Sequence, residues 1–421
     1  MYRKLIPLLK TQTAKDTMVT TVATGGGALL AAVFFILAAR LLGPENFGIF
    51  SLATALSFML ADIFDIALNS SLVRFVAAEI EKTDGEEEKY LKLILKVKLA
   101  IGLGFILLSS IFAAPLSMIA FGKAMPQILS LTGLGTGLQL LYTFSLAHLQ
   151  ARKEFVKAGI GMVLLPLLRM LGILGLLLFL SLGTVSALVV YFFVIPLATI
   201  PLLFMAPTAF LKTKGDLKIA RKLFGYNLPL TVGFALAAVA GRIDNFILGN
   251  LAGTASVGYY AAAFRLFAPV QYLAGSLATV LAPRFSTFQE DRTAKTYVKK
   301  AIVALGALTI GMLAFLPFSR LIIQLFYGSA YAPSVPVLRI LFLGYAAFFF
   351  QAPFTAILLY YFAKTKLFAI IALVQLAIVV TANLILVPRL GESGSALAFL
   401  ITQFLCLGIL ASYTVYRLRR S

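Results

Sequence analysis

Long apolar stretches, separated by short polar clusters, recur along the whole chain. A helix that crosses a bilayer needs roughly 20 predominantly apolar residues, and each stretch is long enough to supply one. Membrane β-strands alternate apolar and polar positions over roughly ten residues, and these stretches do not. The pattern predicts an all-α polytopic membrane protein with twelve transmembrane helices, at residues 18–41, 47–76, 93–118, 126–149, 158–181, 184–207, 222–249, 254–284, 300–319, 334–361, 367–388 and 393–416.

The composition supports a lipid environment and narrows the class of function. Of 421 residues, 61% are hydrophobic and 12% charged, which is more apolar surface than a soluble domain can bury. The connections between the predicted helices are too short for a catalytic domain in water. His148 is the only histidine and Cys406 the only cysteine. We therefore predict a transporter rather than an enzyme, with no metal and no cofactor, and with coupling to H⁺ or Na⁺ left open.

The formal net charge of +20 reports orientation in the membrane. If the N-terminus lies inside, the inner segments carry 25 lysines and arginines, whereas the outer turns carry 4. Such an excess follows the positive-inside rule for a chain with both termini cytoplasmic. A nucleic-acid partner, which a basic soluble protein would suggest, is not predicted.

The chain contains a weak internal repeat. A shift of 210 residues places 41–56 on 251–266, and later 121–129 resembles 327–341. Each half then holds six helices, so both halves start on the same side and are related by an axis along the membrane normal. We predict two pseudo-symmetric lobes, at residues 1–212 and 213–421, around a central cavity that opens alternately to the two sides.

Arginines inside apolar segments are the candidate substrate ligands, because ionisable groups in hydrocarbon cost about 2.5–3.5 kcal/mol and therefore face protein or water. Arg169 lies near the middle of the fifth predicted helix. Arg242 and Arg265 lie at comparable depth on the seventh and eighth helices, and Arg339 lies close enough to a helix end to snorkel. These four arginines are the predicted substrate-binding residues.

Acidic residues inside the membrane are the candidate coupling sites. Asp62, Asp65 and Asn69 form one polar stripe on the second helix. Their functional interpretation is a proton or Na⁺ site, and the alternative is an ion pair with a buried arginine. Asp244 is the third candidate, with a structural pair to Arg265 as its alternative. Lysines near the start of the third helix, Lys96 and Lys98, are expected to snorkel.

Three stretches carry a family resemblance. ARLLGPENFGIFSLA (39–53), NLPLTVGFALAAVAGRIDNFILGNLAGTASVGYYAAAFRL (227–266) and FYGSAYAPSVPVLRIL (326–341) resemble the polysaccharide and O-antigen flippases of the multidrug/oligosaccharidyl-lipid/polysaccharide exporter superfamily. The resemblance covers nearly the whole chain, and the LLGP-x-x-FG and ID-x-x-x-LG stretches are its specific parts. Asp244 falls on the I-D position, and Gly253, Gly258 and Tyr260 fall on the turn motif.

The resemblance implies a twelve-helix, two-lobe flippase that carries a polyprenyl-pyrophosphate-linked oligosaccharide to the outer leaflet of a prokaryotic plasma membrane. The implied partners are that lipid-linked oligosaccharide, membrane lipids and, as a further candidate, the polysaccharide assembly machinery. Cationic side chains that suit a pyrophosphate agree with it. The alternative is a proton- or Na⁺-coupled multidrug exporter of the same superfamily, which Asp62 and Asp65 keep open.

Overall fold

The structure is a computed structural model that describes residues 12–80, 82, 86–179, 183–213, 216–269, 271, 291–362 and 364–420. Within these ranges every regular element is helical, which confirms the all-α prediction. The α-helices are α1 (Gln12–Ile80), α2 (Glu87–Ile111), α3 (Ala113–Phe121), α4 (Pro126–Ala151), α5 (Phe155–Phe179), α6 (Thr184–Phe204), α7 (Leu217–Ala240), α8 (Ile243–Ala252), α9 (Thr254–Arg265), α10 (Asp291–Leu313), α11 (Ser319–Tyr327), α12 (Ser334–Ala356), α13 (Thr365–Leu390) and α14 (Glu392–Arg420).

The predicted membrane segments fall on these helices. In the described part of the chain, eight helices are long and apolar enough to cross a membrane, or nine if α2 and α3, which meet at 94°, form one span. The count is below twelve partly because α1 carries the first two predicted segments, joined at a break at Gly43. The second half of the eighth predicted segment, 254–284, lies outside the described residues, apart from residue 271.

One predicted helix is broken. The segment 222–249 forms two helices, α7 and α8, because Gly241 and Arg242 leave the helical path, and Arg242 has φ −141° and ψ −7°. A helix start inside a membrane segment exposes backbone N–H groups that need partners. The carboxylate of Asp244 lies in this first turn, where it interacts favourably with the positive end of the helix dipole.

The internal repeat is visible in the backbone. Gly43 (φ 72°, ψ 170°) and Gly253 (φ 87°, ψ 171°) are 210 residues apart and share a conformation that only glycine adopts readily. The later match is looser. The nine-residue helices α3 and α11 are each followed by a glycine with positive φ, but Gly122 and Gly328 differ in ψ, at 2° and −179°.

Contacts divide the chain into two compact units. Unit 1 consists of residues 1–41 and 53–238, and unit 2 of residues 42–52 and 239–421. The contact boundary after Ala238 differs from the predicted lobe boundary between residues 212 and 213. The predicted division into lobes of six helices each stays a prediction, as does the orientation of the termini.

In unit 1, α4 is the central helix and packs against α2, α5 and α6. A buried apolar cluster at one end of the unit joins α1, α2, α4 and α7, through residues that include Leu72, Tyr90, Phe144 and Leu223. This cluster fixes the end of α1 relative to the start of α7. The start of α7 also carries Asp216, whose carboxylate accepts a hydrogen bond from the backbone N–H of Lys218 at 2.8 Å.

In unit 2, α14 packs against α12 and α13, while α8 packs against α9 and α13. The segment 42–52 belongs to this unit, and its Phe47 is fully buried against Tyr331. Two glycines make the approach possible. A Cβ on Gly48 would overlap the carbonyl oxygen of Thr254, and one on Gly258 would overlap that of Pro44. The two contacts are equivalent, because Gly258 and Thr254 lie 210 residues after Gly48 and Pro44.

Candidate functional site

A buried ion pair lies in the interior of unit 1. Lys98 of α2 is completely buried, and its Nζ lies 2.5 Å from Oδ1 of Asp65 on α1. The ammonium also donates to Asn69 Oδ1 at 2.6 Å, to Thr143 Oγ1 at 3.2 Å and to the carbonyl of Leu140 at 3.3 Å. Asn69 Nδ2 in turn donates to Asp65 Oδ2 at 2.8 Å. Two helices, α1 and α4, therefore supply oxygen atoms to one buried lysine on α2.

This arrangement corrects the expectation for Lys98, which does not snorkel. Lys96 is exposed, but α2 begins at Glu87 rather than near residue 93, so Lys98 lies about three turns from the helix start. Its partner Asp65 belongs to the predicted stripe and pairs with this lysine rather than with an arginine. Asp62 is half-buried and has contacts of its own. A helix start at Glu87 places Lys98 deep in α2, so a correct helix start would have identified it as a buried residue.

Arg169 lies inside unit 1, and its place in the wall of a central cavity stays a prediction. The side chain is buried on α5, with Cζ 3.7 Å from the centroid of the Tyr191 ring on α6. Its Nε donates to the backbone carbonyl of Tyr191 at 3.0 Å. Among the residues that the structure describes, no carboxylate forms an ion pair with Arg169. An aromatic face can stabilise a desolvated guanidinium through its quadrupole, and Tyr191 was not anticipated from the sequence.

Asp244 lies inside unit 2, with a different partner from the one considered. Tyr260 on α9 donates from Oη to Asp244 Oδ2 at 2.6 Å, and the backbone N–H of Asn245 donates to Oδ1 at 2.8 Å. The pair with Arg265 is therefore wrong. Arg265 instead directs its guanidinium towards Phe47, with Cζ 5.9 Å from the ring centroid.

The four predicted arginines are not gathered in one unit. Arg169 belongs to unit 1, while Arg242, Arg265 and Arg339 belong to unit 2. Arg242 is half-buried at the break between α7 and α8, Arg265 is half-buried at the end of α9, and Arg339 is exposed on α12. The exposure of Arg339 agrees with a side chain that reaches towards the membrane surface.

The contacts of His148 are those of a residue with a structural role. Its ring packs against Phe144 and Phe210, and its Nε2 accepts a hydrogen bond from Arg152 Nε at 3.1 Å. In the described part of the chain, no group of three histidine, cysteine, aspartate or glutamate side chains could hold a metal ion. Apart from Glu79, which is bonded to Lys82, the buried charged groups in the described ranges are thus an arginine on a tyrosine, a lysine with an aspartate, and an aspartate with a tyrosine.

The chain is similar to known membrane transporters. A Shigella flexneri protein named "Putative O-antigen transporter" is 25% identical over 395 residues, which cover 87% of this chain and 89% of that protein. Among solved structures, the lipid II flippase MurJ in an inward closed conformation matches with a TM-score of 0.76 and 19% identity, over 93% of this chain and 86% of that one. An inward-facing multidrug resistance MATE family transporter of the MOP superfamily matches with a TM-score of 0.79 and 16% identity, over 93% and 95%.

The two structural matches concern the fold, which this chain shares with transporters of the MOP superfamily. The family described as "Polysaccharide biosynthesis protein" matches residues 36–336, well over half of the chain. The chain is therefore a multi-pass membrane protein, and the proteins that it resembles are transporters rather than enzymes. By this match, the chain belongs to the polysaccharide biosynthesis protein family.

Proposed function

We propose that the protein is a flippase that moves a polyprenyl-pyrophosphate-linked oligosaccharide from the cytoplasmic to the outer leaflet by alternating access. The observation that carries this proposal is Arg169, a buried arginine without an ion pair to any described carboxylate. A buried charge that lacks an opposite charge is costly. An anionic ligand would supply the opposite charge during each transport cycle.

Pyrophosphate is the anion that suits this arginine. A guanidinium offers five N–H donors in a planar fork that matches phosphate oxygens. Only the Nε donor of Arg169 has a protein hydrogen bond among the described residues, to the carbonyl of Tyr191. In our proposal Tyr191 holds the guanidinium in place, and the other donors bind the head group. Arg242, Arg265 and Arg339 are proposed as further head-group ligands from unit 2.

The lipid tail of the cargo needs no polar site, because it can remain in the hydrocarbon of the bilayer. We place the protein in a prokaryotic plasma membrane with both termini cytoplasmic, which the distribution of lysine and arginine supports. Its partners are then the lipid-linked oligosaccharide and the surrounding lipids, with the polysaccharide assembly machinery as a further candidate. A related Shigella flexneri protein named as an O-antigen transporter supports this class of cargo.

Replacement of Arg169 tests the proposal directly. In reconstituted vesicles, Arg169→Ala is expected to slow the flipping of a fluorescent polyprenyl-pyrophosphate sugar by roughly tenfold to a hundredfold, because a charge-assisted phosphate contact is worth about 1.5–3 kcal/mol. Arg169→Lys should restore only part of the rate, since lysine has no bidentate fork. An unchanged rate in Arg169→Ala would remove this residue from the site.

The same vesicles decide between the flippase and the multidrug exporter. A cationic dye is offered in place of the lipid, and Asp62→Asn is compared with the unmodified protein. Dye efflux that disappears in this variant, without any movement of the lipid, would overturn the flippase proposal. We expect lipid movement and no dye efflux.

We further propose that Asp62, Asp65 and Asp244 include the site that couples transport to H⁺ or Na⁺. Asp244 offers the cleanest test, because Asp244→Asn removes the charge and keeps an oxygen that can accept from Tyr260. Flipping by this variant is expected to lose its response to an imposed proton or Na⁺ gradient and to retain the basal rate. Tyr260→Phe keeps the carboxylate and serves as the control that should still respond. A gradient response that survives in Asp244→Asn would exclude Asp244 from the coupling site.

A further inference from the structure

Two exposed cations rest on one aromatic platform at an end of unit 1. The platform consists of Phe75 near the end of α1, Tyr90 near the start of α2 and Tyr226 in the first half of α7. Phe75 stacks on Tyr90 with ring centroids 5.3 Å apart, and the ring of Tyr226 meets Phe75 edge to face at 5.4 Å.

Arg74 and Lys222 are the two cations. Arg74 Cζ lies 4.6 Å from the centroid of Tyr226 and 5.8 Å from that of Phe75. Lys222 Nζ lies 5.3 Å from the centroid of Phe75 and 5.8 Å from that of Tyr90. The ring of Phe75 therefore adjoins both positive charges, at 5.8 Å and 5.3 Å. Both side chains are exposed to solvent.

The platform is anchored to the packed interior of unit 1. Tyr90 and Leu223 belong to the buried apolar cluster of this unit, and Phe75 packs against that cluster. Ser71 on α1 donates from Oγ to Asn227 Oδ1 on α7 at 2.5 Å, which ties together the two helices that carry the cations. The backbone positions and the rings that carry the cations are therefore in place before a ligand binds, which lowers the entropic cost of binding.

The protein neutralises these charges only in part. Among the described residues, Arg74 forms no ion pair. Glu79 is the carboxylate that interacts electrostatically with Lys222. This carboxylate is, however, already bonded to Lys82 Nζ at 2.7 Å. The platform thus keeps excess positive charge. Aromatic rings cover one side of each cation, and some of the N–H donors of the cations remain available at the surface.

We propose that this cluster binds the phosphates of a lipid head group, and, if the flippase function holds, that it receives the pyrophosphate of the cargo before Arg169 does. Two cations fixed on one ring suit a ligand with two adjacent anionic groups better than a single carboxylate. The location agrees with a head group, because α1 ends and α7 begins beside the two charged segments, 80–92 and 212–222, that the charge distribution assigns to the cytoplasmic surface.

The test measures binding by the full-length protein in nanodiscs of zwitterionic phosphatidylcholine. The probe is a fluorescent short-chain polyprenyl diphosphate, and the variants are Arg74→Gln, Lys222→Gln and the two together. Arg221→Gln is the matched control, because it removes an equal charge from an exposed neighbouring position on the same helix. We expect the double variant to bind roughly tenfold more weakly or worse, and the control to bind like the unmodified protein.

Competition identifies the source of the phosphates. Inorganic pyrophosphate that displaces the probe shows that the phosphates are recognised without the lipid chain. Phosphatidylglycerol that competes as strongly as the probe would assign the site to ordinary bilayer lipid, still through its phosphate. Equal binding by the double variant and the unmodified protein, or an equal loss in Arg221→Gln, would overturn the proposal.

This outcome is separable from the outcome for the flippase. If the unmodified protein flips lipid in vesicles but the double variant binds the probe normally, the platform is not a binding site and the flippase proposal stands. If the unmodified protein does not flip lipid and probe binding still depends on Arg74 and Lys222, the platform stands as a phosphate site and the flippase proposal fails.

Discussion

Lys98→Met is expected to lower the free energy of unfolding by about 3–5 kcal/mol, because removal of one partner from a buried ion pair leaves the other charge uncompensated. Asp65 would lose the ammonium at 2.5 Å that faces its Oδ1, and Asn69, Thr143 and Leu140 would each lose a donor. The measurement is chemical unfolding of the purified protein in detergent micelles.

Two further variants make this result specific. Lys96→Met removes the same charge two residues away at an exposed position, and we expect a change within about 0.5 kcal/mol. The double variant Asp65→Leu/Lys98→Met removes both charges, and it should recover much of the lost stability because an apolar pair avoids the desolvation cost. A double variant as unstable as Lys98→Met alone would show that the loss of stability does not come from the uncompensated charge of Asp65.

Gly48→Ala is expected to destabilise unit 2 by about 3 kcal/mol, at the upper end of the range for overpacking. The new Cβ would overlap the carbonyl oxygen of Thr254, and a backbone atom cannot move aside by changing a rotamer. Gly258→Ala should have a similar effect, since its Cβ would overlap the carbonyl oxygen of Pro44. The measurement is the same unfolding experiment, combined with limited proteolysis at segment 42–52.

Gly104→Ala is the control for this prediction. Gly104 lies in α2 with open space where its Cβ would be placed. Alanine is about 1 kcal/mol better than glycine inside a helix, so this variant should be as stable as the unmodified protein or slightly more stable. If Gly48→Ala and Gly258→Ala behave like Gly104→Ala, the close approach of the two repeats does not occur in the protein.

The internal repeat shows how much tertiary structure a weak sequence match can predict. Seven identities in the 35 positions of 41–75 against 251–285 were a weak signal in so apolar a chain. The structure gives Gly43 and Gly253 the same unusual backbone and brings Gly48 and Gly258 into equivalent contacts. A glycine match can therefore be structurally specific even when overall identity is low, because the requirement for a missing Cβ is absolute at such positions.

The buried charges show where the sequence was insufficient. The stripe of Asp62, Asp65 and Asn69 was visible from its spacing, because residues three and four apart share a helix face. For its partner Lys98 the sequence predicts a place at the membrane surface, which is wrong because a small error in the start of α2 changes the depth of a lysine. The alternative pair of Asp244 with Arg265 is also wrong, because Tyr260 and Arg265 lie on the same short helix and only their orientation separates them.

The sequence by itself determined the membrane environment, the helical class, the approximate spans and the family, because segment length, apolar content and local motifs are properties of neighbouring residues. Only the tertiary structure decided which buried charges meet: Lys98 with Asp65, Asp244 with Tyr260, and Arg169 with the face of Tyr191. Such partners are chosen by distances and directions between helices, which depend on the packing of the whole unit. Short-range patterns along the chain do not contain that information.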